Sequence, residues 1–149
     1  MIQIIVISIF LIDRLSKYLI ISNLLPGQSL PLLKNIFHLT LVQNKGAAFG
    51  VLRNQVPFFI FITILAIILI FCNLRNNLSR PVKICLGLIL AGALGNLMDR
   101  VFFGYVIDFI DFRIWPVFNI ADSAITIGAI FLVYTIFKKP QSTIHHPSF

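Results

Sequence analysis

Four stretches of this chain are apolar almost throughout: Ile2–Ile21, Val56–Leu74, Val82–Met98 and Phe118–Phe137. Each is close to the ~20 residues that a helix needs to cross a hydrocarbon core of ~30 Å. Backbone in lipid must satisfy its own hydrogen bonds, so such runs fold as helices. The expected architecture is an all-α polytopic membrane protein with four transmembrane helices in one domain, residues 1–149. A long loop, 24–55, separates the first two helices, and a tail, 138–149, follows the last. With 58% hydrophobic and 11% charged residues, the composition excludes an ordinary soluble domain. The first run carries Asp13-Arg14 and Lys17 and has no small-residue cleavage site after it, so it is expected to be a retained helix.

The net charge of +7 comes from twelve Lys and Arg. No basic run is interleaved with aromatics, which argues against nucleic acid; attraction to anionic membrane lipids accounts for the balance. Arg75 and Arg80 lie between the second and third runs and Lys83 at the start of the third, and Lys138 and Lys139 follow the fourth. With four crossings these groups share a side, which the positive-inside rule makes cytoplasmic, together with both termini. Lys34, Lys45, Arg53 and Arg113 fall on the other side and weaken the contrast. Cys72, Cys85, His38, His145 and His146 form no metal-ligand spacing, so free cysteines, no metal and no cofactor are expected.

All five acids are aspartates: Asp13, Asp99, Asp108, Asp111 and Asp122. Asn119, Asp122, Ser123 and Thr126 are spaced i, i+3, i+4, i+7, one face of a helix. A carboxylate at the centre of a membrane helix costs ~2.5–3.5 kcal/mol, less near its end, and is a functional candidate for that reason. Asn96, Asp99 and Arg100 make a second polar face at the end of the third run. Ala91 and Gly95 in the same run form a small-xxx-small pair that favours close helix packing. Asp13 and Lys17, i and i+4, read as an internal ion pair. Phe37–Val42 alternates like a strand, and Val106–Phe112 looks extended. The Asn44–Gly50 segment suits either a turn or a close backbone approach. By this topology Asp99, Asp108, Asp111 and Asp122 gather at the outer ends of the third and fourth helices, beside Asn96, Arg100 and Asn119. Two carboxylates sharing a site hold one proton between them, the arrangement of an aspartyl protease. The residues alone do not select the pair, and they equally describe an ion or proton site in a transporter.

Five segments together resemble the lipoprotein signal peptidases, the bacterial type II signal peptidases: Asp13–Lys17, Asn44–Phe49, Gly92–Arg100, Val106–Phe109 and Phe118–Ser123. They stand in family order and spacing across nearly the whole chain; Ala91 departs where the family often has a second glycine. The resemblance implies four transmembrane helices with a small extracytoplasmic β-element from the first outer loop. It implies a metal-free catalytic dyad, Asp108 and Asp122. Asn44, Asn96, Arg100 and Asn119 match positions lining the family's substrate groove. Asp13, Lys17 and Asp99 match motif positions assigned to structural support. The implied substrate is a diacylglyceryl-prolipoprotein cut just before the lipidated cysteine, at the bacterial cytoplasmic membrane, with no obligate protein partner inferred.

Overall fold

The computed structural model describes residues 2–46, 52 and 54–138. Four helices carry the chain: α1, Ile2–Asn23; α2, Val56–Leu74; α3, Arg80–Phe103; and α4, Ile120–Phe137. Three strands, β1 Ser29–Leu33, β2 Phe37–Asn44 and β3 Val106–Asp111, form one antiparallel sheet in that order. Helices α2, α3 and α4 are long and apolar enough to cross a membrane. At 22 residues α1 is as long, but Asp13, Arg14 and Lys17 interrupt its apolar run.

The helices are built inside out relative to a soluble protein. In α1 the buried residues are Asp13, Lys17 and Ile20, while Ile4, Leu11 and Leu15 point outward. No residue of α2 is buried. Apolar side chains that face out are at home in hydrocarbon, so the interior is free to collect the polar groups.

The central helix is α3, packed against α1, α2 and α4. Its contact with α4 is close because glycines line it. A Cβ on Gly92 would run into the backbone carbonyl of Ala121, and one on Gly95 would lie 2.7 Å from Asp13 Oδ2. From the other side, a Cβ on Gly128 would lie 2.8 Å from the Cys85 carbonyl oxygen. The small-residue contact expected at Ala91 and Gly95 is therefore carried toward α4 by Gly92 as well.

Several boundaries differ from the sequence expectation. Helix α3 does not stop at Met98 but continues to Phe103, ending on Gly104 in the left-handed conformation (φ 72°). Helix α4 starts at Ile120 rather than Phe118, because Asn119 caps it and Phe118 instead bridges Ile110. The sheet is not made by the first loop alone, since β3 comes from the connection between α3 and α4. Ile20 of α1, Leu41 of β2, and Ile107 and Phe109 of β3 pack into one cluster that fastens the sheet to the helices. Most of the expected Asn44–Gly50 feature lies outside the described residues.

Candidate active site

The Asp108 carboxylate lies on β3 and that of Asp122 in the first turn of α4. Each is placed by local geometry. In the β2–β3 ladder Asp108 stands opposite Val42, so Asn44, two residues further along β2, is its diagonal neighbour on the same face. The Asn44 amide accordingly donates to Asp108 Oδ2 at 2.9 Å. Asp122 is fixed by a reciprocal cap: its backbone N–H donates to Asn119 Oδ1 at 2.8 Å, and its Oδ2 accepts from the Asn119 backbone N–H at 3.3 Å.

Three asparagines then reach the two carboxylates with their NH2 ends, and in each case an obligate donor dictates that orientation. A backbone N–H or an ammonium can only donate, so the amide oxygen must face it and the NH2 group must point away. Gly46 N–H donates to Asn44 Oδ1 at 2.9 Å, which turns the Asn44 NH2 to Asp108. Asp122 N–H does the same for Asn119, whose NH2 donates to Asp108 Oδ1 at 2.7 Å. Lys17 Nζ donates to Asn96 Oδ1 at 3.1 Å, and the Asn96 NH2 donates to Asp122 Oδ1 at 2.7 Å. Asn119 also donates to Asn96 Oδ1 at 3.2 Å, closing a network around both acids.

Asp108 is 1% exposed, and its carboxyl is pushed up to about 7. Burial is the largest cause and the Asp122 charge the next; the donated hydrogen bonds of Asn44 and Asn119 and the charge of Lys17 pull back only in part. A carboxyl with that value exchanges its proton near neutrality, as a general acid or base requires. Asp111 behaves oppositely. Although burial pushes it up, the Thr40 hydroxyl (2.7 Å), the Arg113 backbone N–H (2.8 Å) and the Arg113 guanidinium (2.9 Å) hold it below the usual carboxylate range. It is an ion-paired anion with partners different from those of Asp108.

The remaining acids are consumed by a buried charge network. Asp13 pairs with Arg14 at 2.7 Å and Lys17 at 3.0 Å, and Asp99 with Arg14 at 2.6 Å and Lys17 at 2.7 Å. Asp13 Oδ1 also accepts from Ala121 N–H, a buried amide in the first turn of α4 that has no partner within the helix, at 3.0 Å. Asp99 Oδ2 accepts from Ile107 N–H at 3.2 Å. Thus the expected Asp13–Lys17 pair is one edge of a four-residue cluster that ties α1 to α3, α4 and β3. Arg14 was not assigned a role from sequence. Its neighbour spacing to Asp13 gives no hint that it reaches Asp99, but two acids against one lysine left a second cation to be found.

Asp108 and Asp122 lie at one wall of a cleft of ≈ 950 Å³. Phe59, Ile62, Thr63 and Ala66 of α2 face it from one side, and Asp122, Ser123, Ile125 and Thr126 of α4 from the other. The cleft exists because α2 packs on α3 and stands off from α4. Asn44, Asn96 and Arg100 also line it, while Asn119 is wholly buried behind the two carboxylates. The Arg100 guanidinium sits 5.1 Å from the centre of the Phe59 ring. Among the described residues it forms no ion pair, so its charge faces the cleft. Cys72 and Cys85 are free thiols, and no group of three or more His, Cys, Asp or Glu among the described residues is placed to hold a metal ion.

Residues 5–138 match the family described as Signal peptidase (SPase) II. The chain is 45% identical over 142 residues to the lipoprotein signal peptidase of Halothermothrix orenii, covering 95% of this chain and 98% of that protein. It is 51% identical over 127 residues to that of Moorella thermoacetica, covering 84% and 85%. Two solved bacterial membrane enzymes, obtained by the in meso method, superpose on it. One has a TM-score of 0.90 at 32% identity, covering 99% of this chain and 94% of that one; the other 0.85 at 34%, covering 93% of each.

Proposed function

This chain belongs to the signal peptidase II family, the lipoprotein signal peptidases, and on that premise we propose that Asp108 and Asp122 are its catalytic dyad. The protein is a multi-pass bacterial inner-membrane aspartyl peptidase that removes signal peptides from lipoproteins. The observation that carries the dyad assignment is Asn119. One side chain caps Asp122 and donates to Asp108, so the two carboxylates are positioned as a unit from separate elements.

In the proposed reaction the ionised carboxylate takes a proton from water, and the water oxygen attacks the scissile carbonyl carbon. The protonated partner hydrogen-bonds the carbonyl oxygen and stabilises the charge that develops there. Collapse of the tetrahedral intermediate returns a proton to the leaving nitrogen. Asn44, Asn96 and Asn119 hold the acids, and Asn44, Asn96 and Arg100 line the route that substrate backbone takes. The lining of the cleft is mostly apolar, which suits a substrate tethered by acyl chains next to the bond to be cut. We read the substrate accordingly as a prolipoprotein whose cysteine carries diacylglyceryl, cut just before that residue.

Helix α1 is read as a fourth span, with its charges neutralised pairwise inside the bundle. With four crossings in one domain, both termini and the 75–83 loop are cytoplasmic, and the sheet and dyad sit near the outer face. The test of the function is incubation of the purified protein with a diacylated and an unlipidated form of one prolipoprotein. Loss of the signal peptide from the first alone is expected; equal cleavage of both would remove the lipid from the recognition.

A further inference from the structure

Helix α1 contributes no residue to the lining of the cleft among those described, yet one of its side chains reaches the dyad through a single amide. The ammonium of Lys17, a residue only 1% exposed, has three hydrogens and three acceptors: Asp13 Oδ2 at 3.0 Å, Asp99 Oδ2 at 2.7 Å and Asn96 Oδ1 at 3.1 Å. The first two bonds explain its burial. The third is not needed to neutralise it, because two carboxylates already do so.

On the reading of Asp108 and Asp122 as the catalytic pair, we propose that Lys17 is a positioning residue for catalysis. It holds the Asn96 amide with its NH2 group on Asp122, and its charge biases the pair toward the state with one proton and one negative charge. The orientation follows from chemistry: an ammonium cannot accept, so while Lys17 is present Asn96 cannot flip and offer its oxygen to Asp122. The charge acts across a dry interior, where it is weakly screened. Lys17 is one of the groups that pull Asp108 down from the value that burial and Asp122 would impose.

No other cation contacts the Asn96 amide, and Arg100 shares only the electrostatic part of this role, its charge acting on both Asp108 and Asp122. From α1, Arg14 pairs with Asp13 and Asp99 and donates to the Gly95 carbonyl oxygen at 3.1 Å, not to a dyad-contacting amide. From α3, Arg100 faces the open cleft and stacks on Phe59, while Asp99 is engaged with both cations. The α2 wall presents Phe59, Ile62, Thr63 and Ala66, and β2 presents the neutral Asn44.

The experiment is the pH dependence of kcat/KM on a diacylated prolipoprotein for wild type, Lys17→Arg, Lys17→Gln and the charge-balanced Asp13→Asn/Lys17→Gln variant. Loss of the nearby cation makes both protons of the pair harder to remove. Both limbs of the bell are expected to move to higher pH by about one unit in Lys17→Gln, and in the same direction but by less in the paired variant, where loss of the Asp13 charge offsets part of the loss of the Lys17 charge. Lys17→Arg keeps a cation and is expected to keep the limbs in place. The paired variant removes one charge of each sign and retains Arg14 on Asp99, so it leaves no unpaired buried carboxylate and is expected to fold even where the single one fails. Limbs that stay put while only the height falls overturn the proposal, as does failure of both neutral variants to fold, which would leave Lys17 a purely structural role. Asp108→Asn is assayed in parallel. If it is inactive, unmoved limbs sink the Lys17 role alone; if it is active, the dyad assignment itself fails.

Discussion

Asn119 and Asp122 hold each other at both ends: the Asp122 N–H donates to Asn119 Oδ1 at 2.8 Å, and Asp122 Oδ2 accepts from the Asn119 N–H at 3.3 Å. The bond that starts helix α4 therefore also aims the Asn119 NH2 at Asp108. Helix capping and dyad geometry are one device, and a substitution can separate them. Serine is as good an N-cap as asparagine, but its hydroxyl is too short to reach Asp108 while capping. Asn119→Ser keeps the cap but loses the donor to Asp108, and is expected to melt above Asn119→Ala and to lower kcat by roughly 10²-fold, comparable to losing one aligned donor at a catalytic site. Asn119→Ala, lacking the cap too, should lose about 1 kcal/mol of stability in addition. Cleavage rates and melting curves on both variants decide it; equal melting losses would dissolve the distinction.

Asp108→Asn and Asp122→Asn are each expected to abolish cleavage in protein that still inserts and folds. Asparagine cannot take the proton of the attacking water, nor share one with its partner. Because the pair acts as a unit, the double variant should be hardly slower than either single one. Asp111→Asn should retain substantial activity, since Asp111 is engaged by Thr40 and Arg113. A dead Asp111→Asn beside an active Asp108→Asn, both well folded, would move the dyad.

Stability should carry opposite signatures of Asp108 and Asp111. The folded-state value of Asp108 is raised to about 7, so the folded protein keeps a proton that the unfolded chain has already released. Its favourable contribution is full below the ordinary carboxylate value near 4 and is lost as pH rises through about 7. The thermal midpoint should fall between pH 5 and 8, and Asp108→Asn should flatten that slope. Asp111, held below its ordinary value, stabilises above about pH 4 and loses its contribution in acid. Asp111→Asn should therefore lower the midpoint more at pH 6 than in acid. Melting curves across that range in detergent read both signs.

The apolar runs announced the helices because lipid leaves the backbone little choice, and the aspartates stood out because so few charges accompany them. The dyad assignment needed the family resemblance, since β3 and α4 supply its members and no local spacing joins Asp108 to Asp122. What escaped the sequence was governed by partners distant in the chain. The i, i+3, i+4, i+7 spacing places Asn119 on a helical stripe, whereas Asn119-x-x-Asp122 acts as a cap and shortens α4 to start at Ile120. The orientation of Asn96 depends on Lys17, 79 residues away, and Arg14 reaches Asp99 across 85. The stretch of β3 looks extended in the sequence, but its pairing with β2 requires the α1–α2 and α3–α4 connections to meet.

The expected orientation in the membrane rests on Arg75, Arg80, Lys83 and Lys138, all on one side if α1 spans. Single cysteines at Asn77 and Lys45, in a background without Cys72 and Cys85, are to be labelled with an impermeant reagent in cells whose outer face is accessible. Labelling is expected at position 45 and not at 77. Labelling at 77 from outside would invert the topology and place the dyad on the cytoplasmic side.

The close approach of α3 to α4 makes a further prediction, because it sets where Asp122 stands relative to Asp108. A methyl on Gly92 would meet the Ala121 carbonyl, and would lie 2.7 Å from Ile125 Cγ1. The first obstacle is backbone and cannot rotate away, so α4 must shift. Forced overpacking of this kind costs typically ~1–3 kcal/mol. Ala121 precedes Asp122 directly, and its N–H is held by Asp13, so the shift is expected to be transmitted to the carboxylate rather than absorbed. Gly92→Ala is expected to lower both the melting midpoint and kcat. Gly104→Ala, which meets nothing within 4 Å, strains a left-handed turn at the end of α3 and should lower stability with less effect on kcat. Measuring both quantities for the two variants distinguishes packing at the dyad from a general loss of stability. A Gly92→Ala enzyme with wild-type kcat would show that the helix contact does not set the geometry of the site.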